Sequence, residues 1–165
     1  MWNSTTQRGF TLIEMIISII ILSIALAGVL ITYNITVRGS ADALVSKQLV
    51  AIAEEMMEEV LLKPFVPPAG SAVAGTAGGA CAGPGTAADR SAFDEVGDYN
   101  NYQTPDICDI DGNAVPGLNG YSVTVLVLAD NTLGIGAANT LRVTVTAARG
   151  GETMVLDGFK VLLPP

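Results

Sequence analysis

An apolar run from Phe10 to Tyr33 contains a single charged side chain, the carboxylate of Glu14. About 24 residues at about 1.5 Å each form a helix of about 36 Å, which is long enough to cross the hydrocarbon core of a bilayer. A carboxylate inside that core costs about 3 kcal/mol, so an acid within a membrane span indicates a functional site. The run therefore predicts a membrane-spanning helix over residues 10–33, with Glu14 as its candidate functional residue.

The residues before the run point to a partner for Glu14. A cut between Gly9 and Phe10 would leave Phe10 with a free, cationic amine. That amine is poorly placed for Glu14 of its own helix, but it can meet Glu14 of a staggered neighbouring copy, where a low dielectric constant strengthens the attraction. The segment Arg8-Gly9-Phe10-Thr11-Leu12-Ile13-Glu14 resembles the N-terminal signature of type IV pilins and of the related pseudopilins of type II secretion.

This resemblance implies a route of processing and assembly. In that family a prepilin peptidase cuts after the glycine, here Gly9, and methylates the new N-terminal residue, here Phe10. The leader would be residues 1–9, and the acid at the fifth mature position, here Glu14, would guide subunits into a helical filament. The implied partners are prepilin peptidase, other pilin or pseudopilin subunits, and the inner-membrane assembly platform.

The position of the charges predicts the orientation. Arg8 precedes the span, so we expect a single-pass inner-membrane protein with a cytoplasmic leader and a periplasmic domain, which later enters a pilus or pseudopilus. Two alternatives stay open. Ala25-Leu26-Ala27 fits the cleavage rule of an ordinary signal peptide, which would give a soluble secreted protein. A plain signal anchor is the other, and both leave Glu14 unexplained.

The charge balance and the lack of histidine exclude several classes of function. The chain has 8 basic and 16 acidic residues and no histidine. Phosphate binding draws on clustered lysine and arginine, so we expect no nucleic-acid partner and treat a DNA-uptake pilin as a minor alternative. Without histidine there is no usual general base and no Ser-His-Asp arrangement. We therefore expect a structural protein and not an enzyme.

Residues 34–63 predict an amphipathic stem helix that ends before Pro64. Its apolar residues recur at helical spacing and should pack on a sheet: Val45, Leu49, Ile52, Met56 and Val60. The other side carries Lys47, Gln48, Glu54, Glu55, Glu58 and Glu59. We interpret the four glutamates as a solvated face, and a contact with a basic patch on a neighbouring subunit is the alternative.

Residues 64–120 form a connection rich in glycine, alanine and proline, with little periodicity. Two stretches, residues 53–65 at the end of the stem and residues 93–102 in the connection, resemble minor pilins of the mannose-sensitive haemagglutinin (MSHA) type. The second stretch contains Phe93, Tyr99 and Tyr102, and we expect an ordered loop anchored by these aromatic side chains.

Cys81 and Cys108 are the only cysteines and lie in the part expected to be exported. An oxidising compartment favours a disulfide, which for a loop of this length would stabilise the fold by about 3 to 4 kcal/mol in the chain-entropy model. The alternative is two free thiols.

Four oxygen-bearing residues surround Gly112: Asp106, Asp109, Asp111 and Asn113. Their spacing is similar to that of a calcium loop, but the closing glutamate is missing and Asp-Gly is an ordinary turn sequence. We favour a turn, with these residues as weak candidates for calcium, and expect no cofactor otherwise.

Residues 121–165 predict an antiparallel meander of three strands, over residues 121–128, 141–147 and 153–163. Valine alternates along the first two, and Gly158 indicates a bulge in the third. Packed on the stem helix, the meander gives an α+β fold, which is also what the pilin resemblance implies. The overall hypothesis is a minor pilin. A minor pseudopilin is the closest alternative, and a membrane-anchored calcium-binding adhesin or a soluble secreted protein are alternatives of another class.

Overall fold

The structure is a computed structural model, and it describes residues 9–71 and 78–162. One long helix, α1, spans Leu12–Leu62. The chain divides into two compact units, of which the first ends at Ala43 and the second begins at Leu44. We call the second unit the head. Except for Gly9, the leader expected at residues 1–9 lies outside the described residues.

The first part of α1 is apolar and exposed along its length. Residues Leu12–Val37 are long and apolar enough to cross a membrane, four residues beyond the expected limit at Tyr33. Polar side chains within this stretch bond to the helix itself: the hydroxyls of Ser18 and Ser23 donate to the carbonyl oxygens of Glu14 and Ile19, at 2.8 and 2.7 Å. These residues therefore add no unpaired polar group to the span.

The head contains a four-stranded antiparallel sheet in the order β1-β2-β3-β4. The strands are β1 (Gln103–Thr104), β2 (Tyr121–Ala129), β3 (Thr140–Arg149) and β4 (Glu152–Val161). The three predicted strands are confirmed, with ends that differ by one or two residues, and Leu163 lies outside the described residues. The short β1 pairs with β2 and was not expected, because two residues carry no periodicity.

The core lies between the helix stripe and one face of the sheet. Leu49, Ile52, Met56 and Val60 are buried on the helix as predicted, and Val45 packs against them. The alternating residues of β2 and β3 face them: Tyr121, Val123, Val125, Val127, Val143 and Val145. The sequence period of each element thus matches the face that it buries.

The connection between α1 and the sheet closes one end of this core. A short 3-10 helix, Val96–Tyr99, follows Phe93. The ring centroids of Phe93 and Tyr99 lie 4.8 Å apart in an edge-to-face arrangement, and Tyr102 is also fully buried. The expected ordered loop with aromatic anchors is confirmed.

The predicted bulge at Gly158 is wrong. Gly158 pairs in regular register with Val143. A Cβ atom at Gly158 would lie 2.7 Å from the sulfur of Met57, so the missing side chain lets α1 approach β4 closely. Close approach is the other common reason for glycine within a strand.

Candidate processing and assembly site

The helix begins with a cap next to the candidate cleavage position. Thr11 precedes the first helical residue, and its Oγ1 accepts a hydrogen bond from the Glu14 backbone N–H at 3.3 Å. Threonine is a good N-cap because its oxygen satisfies an otherwise unpaired donor of the first turn. The carboxylate of Glu14 in that turn is also favoured by the helix dipole. The sequence Thr-x-x-Glu is typical of such a cap, which was not among the expected features.

Gly9 and Phe10 precede this cap in an open segment. No described residue lies within 4 Å of a Cβ atom placed on Gly9, and the side chain of Phe10 is 78% exposed. A peptidase needs an accessible backbone at a scissile bond. The expected cleavage position lies directly before Phe10, four residues ahead of Glu14 in the sequence.

The Glu14 carboxylate has no hydrogen bond or ion pair with any residue in the described ranges. It is also the only charged side chain between Gly9 and Val37. A helix that crosses lipid with one unpaired acid requires a partner from another chain or a free N-terminus. The geometry therefore leaves this carboxylate available for an intermolecular contact.

The acidic residues at the end of α1 divide into two groups. Glu54, Glu55 and Glu58 are exposed, as expected for a solvated face. Glu59 instead turns toward the connection and pairs with Arg90, whose Nε and Nη2 donate to its two carboxylate oxygens at 2.8 and 2.9 Å. The expectation that Glu59 belongs to the solvated face is wrong, because this bidentate pair compensates its charge inside the head.

Arg90 joins three parts of the head. Its guanidinium, 4% exposed, also donates to the Tyr102 hydroxyl at 2.7 Å and to the carbonyl oxygen of Cys108 at 3.5 Å. The Tyr99 hydroxyl donates to Glu59 Oε1 at 2.8 Å. We call Glu59, Arg90, Tyr99 and Tyr102 the buried polar cluster. Arg90 lies in the connection, which has little periodicity, so no sequence pattern predicted its role.

The electrostatics of the buried polar cluster keep the acid charged. Burial raises the pKa of Glu59, but the hydrogen bonds and positive charge of Arg90 outweigh it and leave the pKa below its ordinary value. Burial raises the pKa values of Tyr99 and Tyr102, so both stay protonated. A charged acid, a charged base and two neutral phenols form a structural network.

Cys81 and Cys108 form a disulfide that closes a loop with a sequence separation of 27. The predicted disulfide is confirmed. Cys108 supplies both the disulfide and the carbonyl oxygen that faces Arg90. The disulfide therefore ties residue 81 to the segment that holds the buried polar cluster.

The four weak calcium candidates form a turn. The Asp109 carboxylate accepts from the backbone and side-chain nitrogens of Asn113, at 2.8 and 3.1 Å, and Asp106 accepts from the Gly120 N–H at 3.0 Å. Asp111 is exposed. In the described ranges no group of three or more acidic, cysteine or histidine side chains is arranged to hold a metal ion. Calcium binding here stays a prediction.

A profile of the prokaryotic N-terminal methylation motif matches residues 4–30. The chain carries a type IV pilin signature. The match includes Gly9, Phe10 and Glu14 and covers only the N-terminal part of the chain. No curated protein matches the chain, and no solved structure does.

The motif and the fold agree. A long N-terminal apolar helix followed by a four-stranded antiparallel sheet is a pilin-like α+β fold. Together they support a type IV pilin-like or pseudopilin precursor, processed by a prepilin peptidase and assembled with other pilins. The apolar helix fits membrane anchoring before assembly, and proteins of this structural family are generally not enzymes.

Proposed function

We propose that this chain is a minor pilin, cut between Gly9 and Phe10, methylated on Phe10, and assembled into or at the tip of a type IV pilus. The observation that carries the proposal is the Glu14 carboxylate, which has no partner among the described residues and is the only charge in the exposed apolar stretch Leu12–Val37. After the cut, the new amine on Phe10 of one subunit compensates Glu14 of its neighbour. The ion pair then sets the stagger between helices in the filament core.

The assignment as a minor pilin rests on features of the head. The two stretches that resemble MSHA-type minor pilins, residues 53–65 and 93–102, supply Glu59, Tyr99 and Tyr102 of the buried polar cluster. The resemblance to minor pilins therefore includes residues that form the interior of the head. A minor pseudopilin of type II secretion is the second candidate, because the N-terminal motif is equally compatible with it.

The cleavage is tested by N-terminal sequencing and mass spectrometry of the mature protein. We expect the chain to begin at Phe10 and to carry one added methyl group. Gly9→Leu should leave full-length precursor in the inner membrane, whereas Ala27→Leu should be processed normally. An ordinary signal peptide would instead give a mature chain that begins at Gly28. In that case Ala27→Leu would block the processing and Gly9→Leu would not.

The role of Glu14 is tested by filament incorporation. Glu14→Ala should insert and be cut normally, because removing a charge favours residence in lipid, but it should be depleted from sheared filaments. Ser18→Ala is the matched control, since Ser18 lies one helical turn further on and its hydroxyl bonds only to its own helix. Equal incorporation of both variants would contradict the assignment of register to Glu14.

The two kinds of filament are separated by a deletion strain. A minor pilin should be recovered in sheared surface pili at a small fraction of the main subunit, and its deletion should alter piliation without loss of protein secretion. Normal pili together with failed secretion would favour the pseudopilin.

A further inference from the structure

The outer edge of β4 is an unoccupied strand edge. β4 has ten residues and is the last strand of the sheet, so within the described residues nothing pairs with its second side. The Leu162 N–H donates to the Asn139 carbonyl at 2.9 Å, which fixes the ladder between β3 and β4. In an antiparallel pair every second residue points its N–H and C=O away from the partner strand. Here these residues include Val155, Asp157 and Phe159.

This edge carries charged side chains but lacks the backbone features that usually prevent strand addition. Proteins protect edges with proline, bulges or free charges, and β4 has no proline and no bulge. Its charged side chains all have polar contacts: Glu152 accepts from the Ser46 hydroxyl, Asp157 pairs with Arg142 at 2.8 Å, and Lys160 donates to the Leu61 carbonyl. Val155 is 52% and Phe159 is 38% exposed. The edge is therefore open, with exposed apolar side chains on either side of the Asp157–Arg142 pair.

The core behind this edge is incompletely covered. Met154 and Leu156 point to the helix side of β4 but are only half-buried, unlike the valines of β2 and β3. At the end of the helix Glu58, Leu61 and Leu62 line an open groove of about 250 Å³, and Leu61 lies 3.3 Å from the position of a Cβ atom on Gly158 of β4. One more strand along β4 would cover these apolar side chains.

One flank of α1 runs beside this edge and carries the exposed acids Glu54 and Glu58 together with Lys47; neither acid forms an ion pair with a described residue. The Ser46 hydroxyl contacts Glu152 at 3.2 Å, and the Leu61 carbonyl contacts Lys160 at 2.8 Å, so the helix follows β4 along its length. Helical spacing places Glu54 between these contacts on the same flank. Glu55 falls on the opposite flank, where it lines a small pocket together with Glu59 and Arg90.

We propose that β4 accepts an extended segment of a partner protein as an added strand. The partner segment alternates basic and apolar side chains. Its basic side chains lie on the helix side, where their aliphatic stems cover Leu61 and Leu156 and their charged ends meet Glu54 and Glu58. Its apolar side chains lie on the outer face beside Val155 and Phe159.

A second copy of this chain fits the edge poorly. Residues 44–165 contain six basic and fourteen acidic residues. Two such heads repel each other, and a second β4 would bring its own glutamates against Glu54. The proposal concerns the head alone and stands whether or not the chain is a minor pilin.

The probe is a fluorescent ten-residue peptide that alternates lysine and valine, titrated with the full chain in detergent micelles. One comparison peptide carries glutamate in place of lysine, and another has the same composition in two blocks. We expect binding of the alternating lysine peptide alone. Glu54→Lys should weaken that binding about tenfold, whereas Glu55→Lys, with the same change in net charge on the other flank, should leave it nearly unchanged. Equal effects of both variants, or equal binding of the block peptide, would refute a defined site.

A backbone test separates strand addition from general charge attraction. Val155→Pro removes an N–H that points away from β3, so it should keep the fold, checked by circular dichroism, and abolish peptide binding. Val155→Thr keeps the N–H and should bind normally. The peptide should also slow amide exchange at Val155, Asp157 and Phe159. Peptide binding by the proline variant, or amide exchange that the peptide leaves unchanged, would contradict the proposal. If the amides become protected as the concentration of the chain rises, without any peptide, the edge binds a second copy instead.

Discussion

Removing Arg90 tests whether the buried polar cluster holds the connection onto the stem helix. Arg90→Met keeps the volume and removes the bidentate contact to Glu59, the bond to Tyr102 and the contacts to the Cys108 carbonyl. Removing one partner of a buried ion pair costs about 3 to 5 kcal/mol because the other charge is left uncompensated. The Glu59 side chain is 25% exposed and keeps its bond from Tyr99, so we expect a loss of about 2 to 3 kcal/mol.

The pH dependence identifies the cause of this loss. In the native chain the pKa of Glu59 lies below its ordinary value of 4.5, so the stability that it contributes is present above that value and is lost as the pH falls below it. Without Arg90, burial is opposed only by the hydrogen bond from Tyr99 and the charge of Lys63, so the pKa of Glu59 rises relative to the native chain. Protonation of Glu59 then removes the unpaired charge from the variant. The difference in the free energy of unfolding between the native chain and the variant should therefore shrink as the pH falls through the ordinary pKa value of Glu59.

The measurement is urea unfolding of the full chain in micelles, followed by near-ultraviolet circular dichroism of the tyrosines. Tyr99, Tyr102 and Tyr121 are fully buried in the head and report its packing. Arg142→Met is the matched control, because Arg142 forms a similar bidentate pair with Asp157 on the exposed face of the sheet. The reasoning would be refuted if Arg90→Met lost no more free energy of unfolding than Arg142→Met. It would also be refuted if that loss did not shrink at lower pH.

Two further predictions concern the covalent and steric constraints of the head. Cys108→Ser should lower the free energy of unfolding by about 3 to 4 kcal/mol, measured in urea, because it removes the disulfide with Cys81; labelling of both thiols in protein taken from the periplasm would contradict a formed bridge in the cell. Gly112→Ala should destabilise more than Gly158→Ala in the same assay. Gly112 has a φ of +79° and a Cβ there would lie 2.7 Å from a backbone oxygen, whereas at Gly158 the flexible Met57 can move; an equal loss for both would show that backbone strain is not the cause.

Local sequence patterns predicted the main elements of this protein. The apolar run, the helical spacing from Val45 to Val60 and the alternation along β2 and β3 each report which face of an element avoids water. These patterns repeat every two or three to four residues, so they can be read without knowing the partner element. The motif around Gly9 and Glu14 is likewise contained in a short stretch, and a profile of that motif finds it.

Tertiary structure alone decided which polar residues compensate one another and where the sheet ends. Glu59 has the same local pattern as Glu55, and only the folded connection brings Arg90, 31 positions away, against one of them. The pairing of β1 with β2 and the close approach of Gly158 to Met57 also join positions that are far apart in the chain. Such contacts depend on loop paths that carry no periodicity. Residue types therefore determined that the chain forms a membrane-spanning helix, a stem helix and a sheet. Long-range packing determined which strand edge and which charged side chains stay unpaired among the described residues.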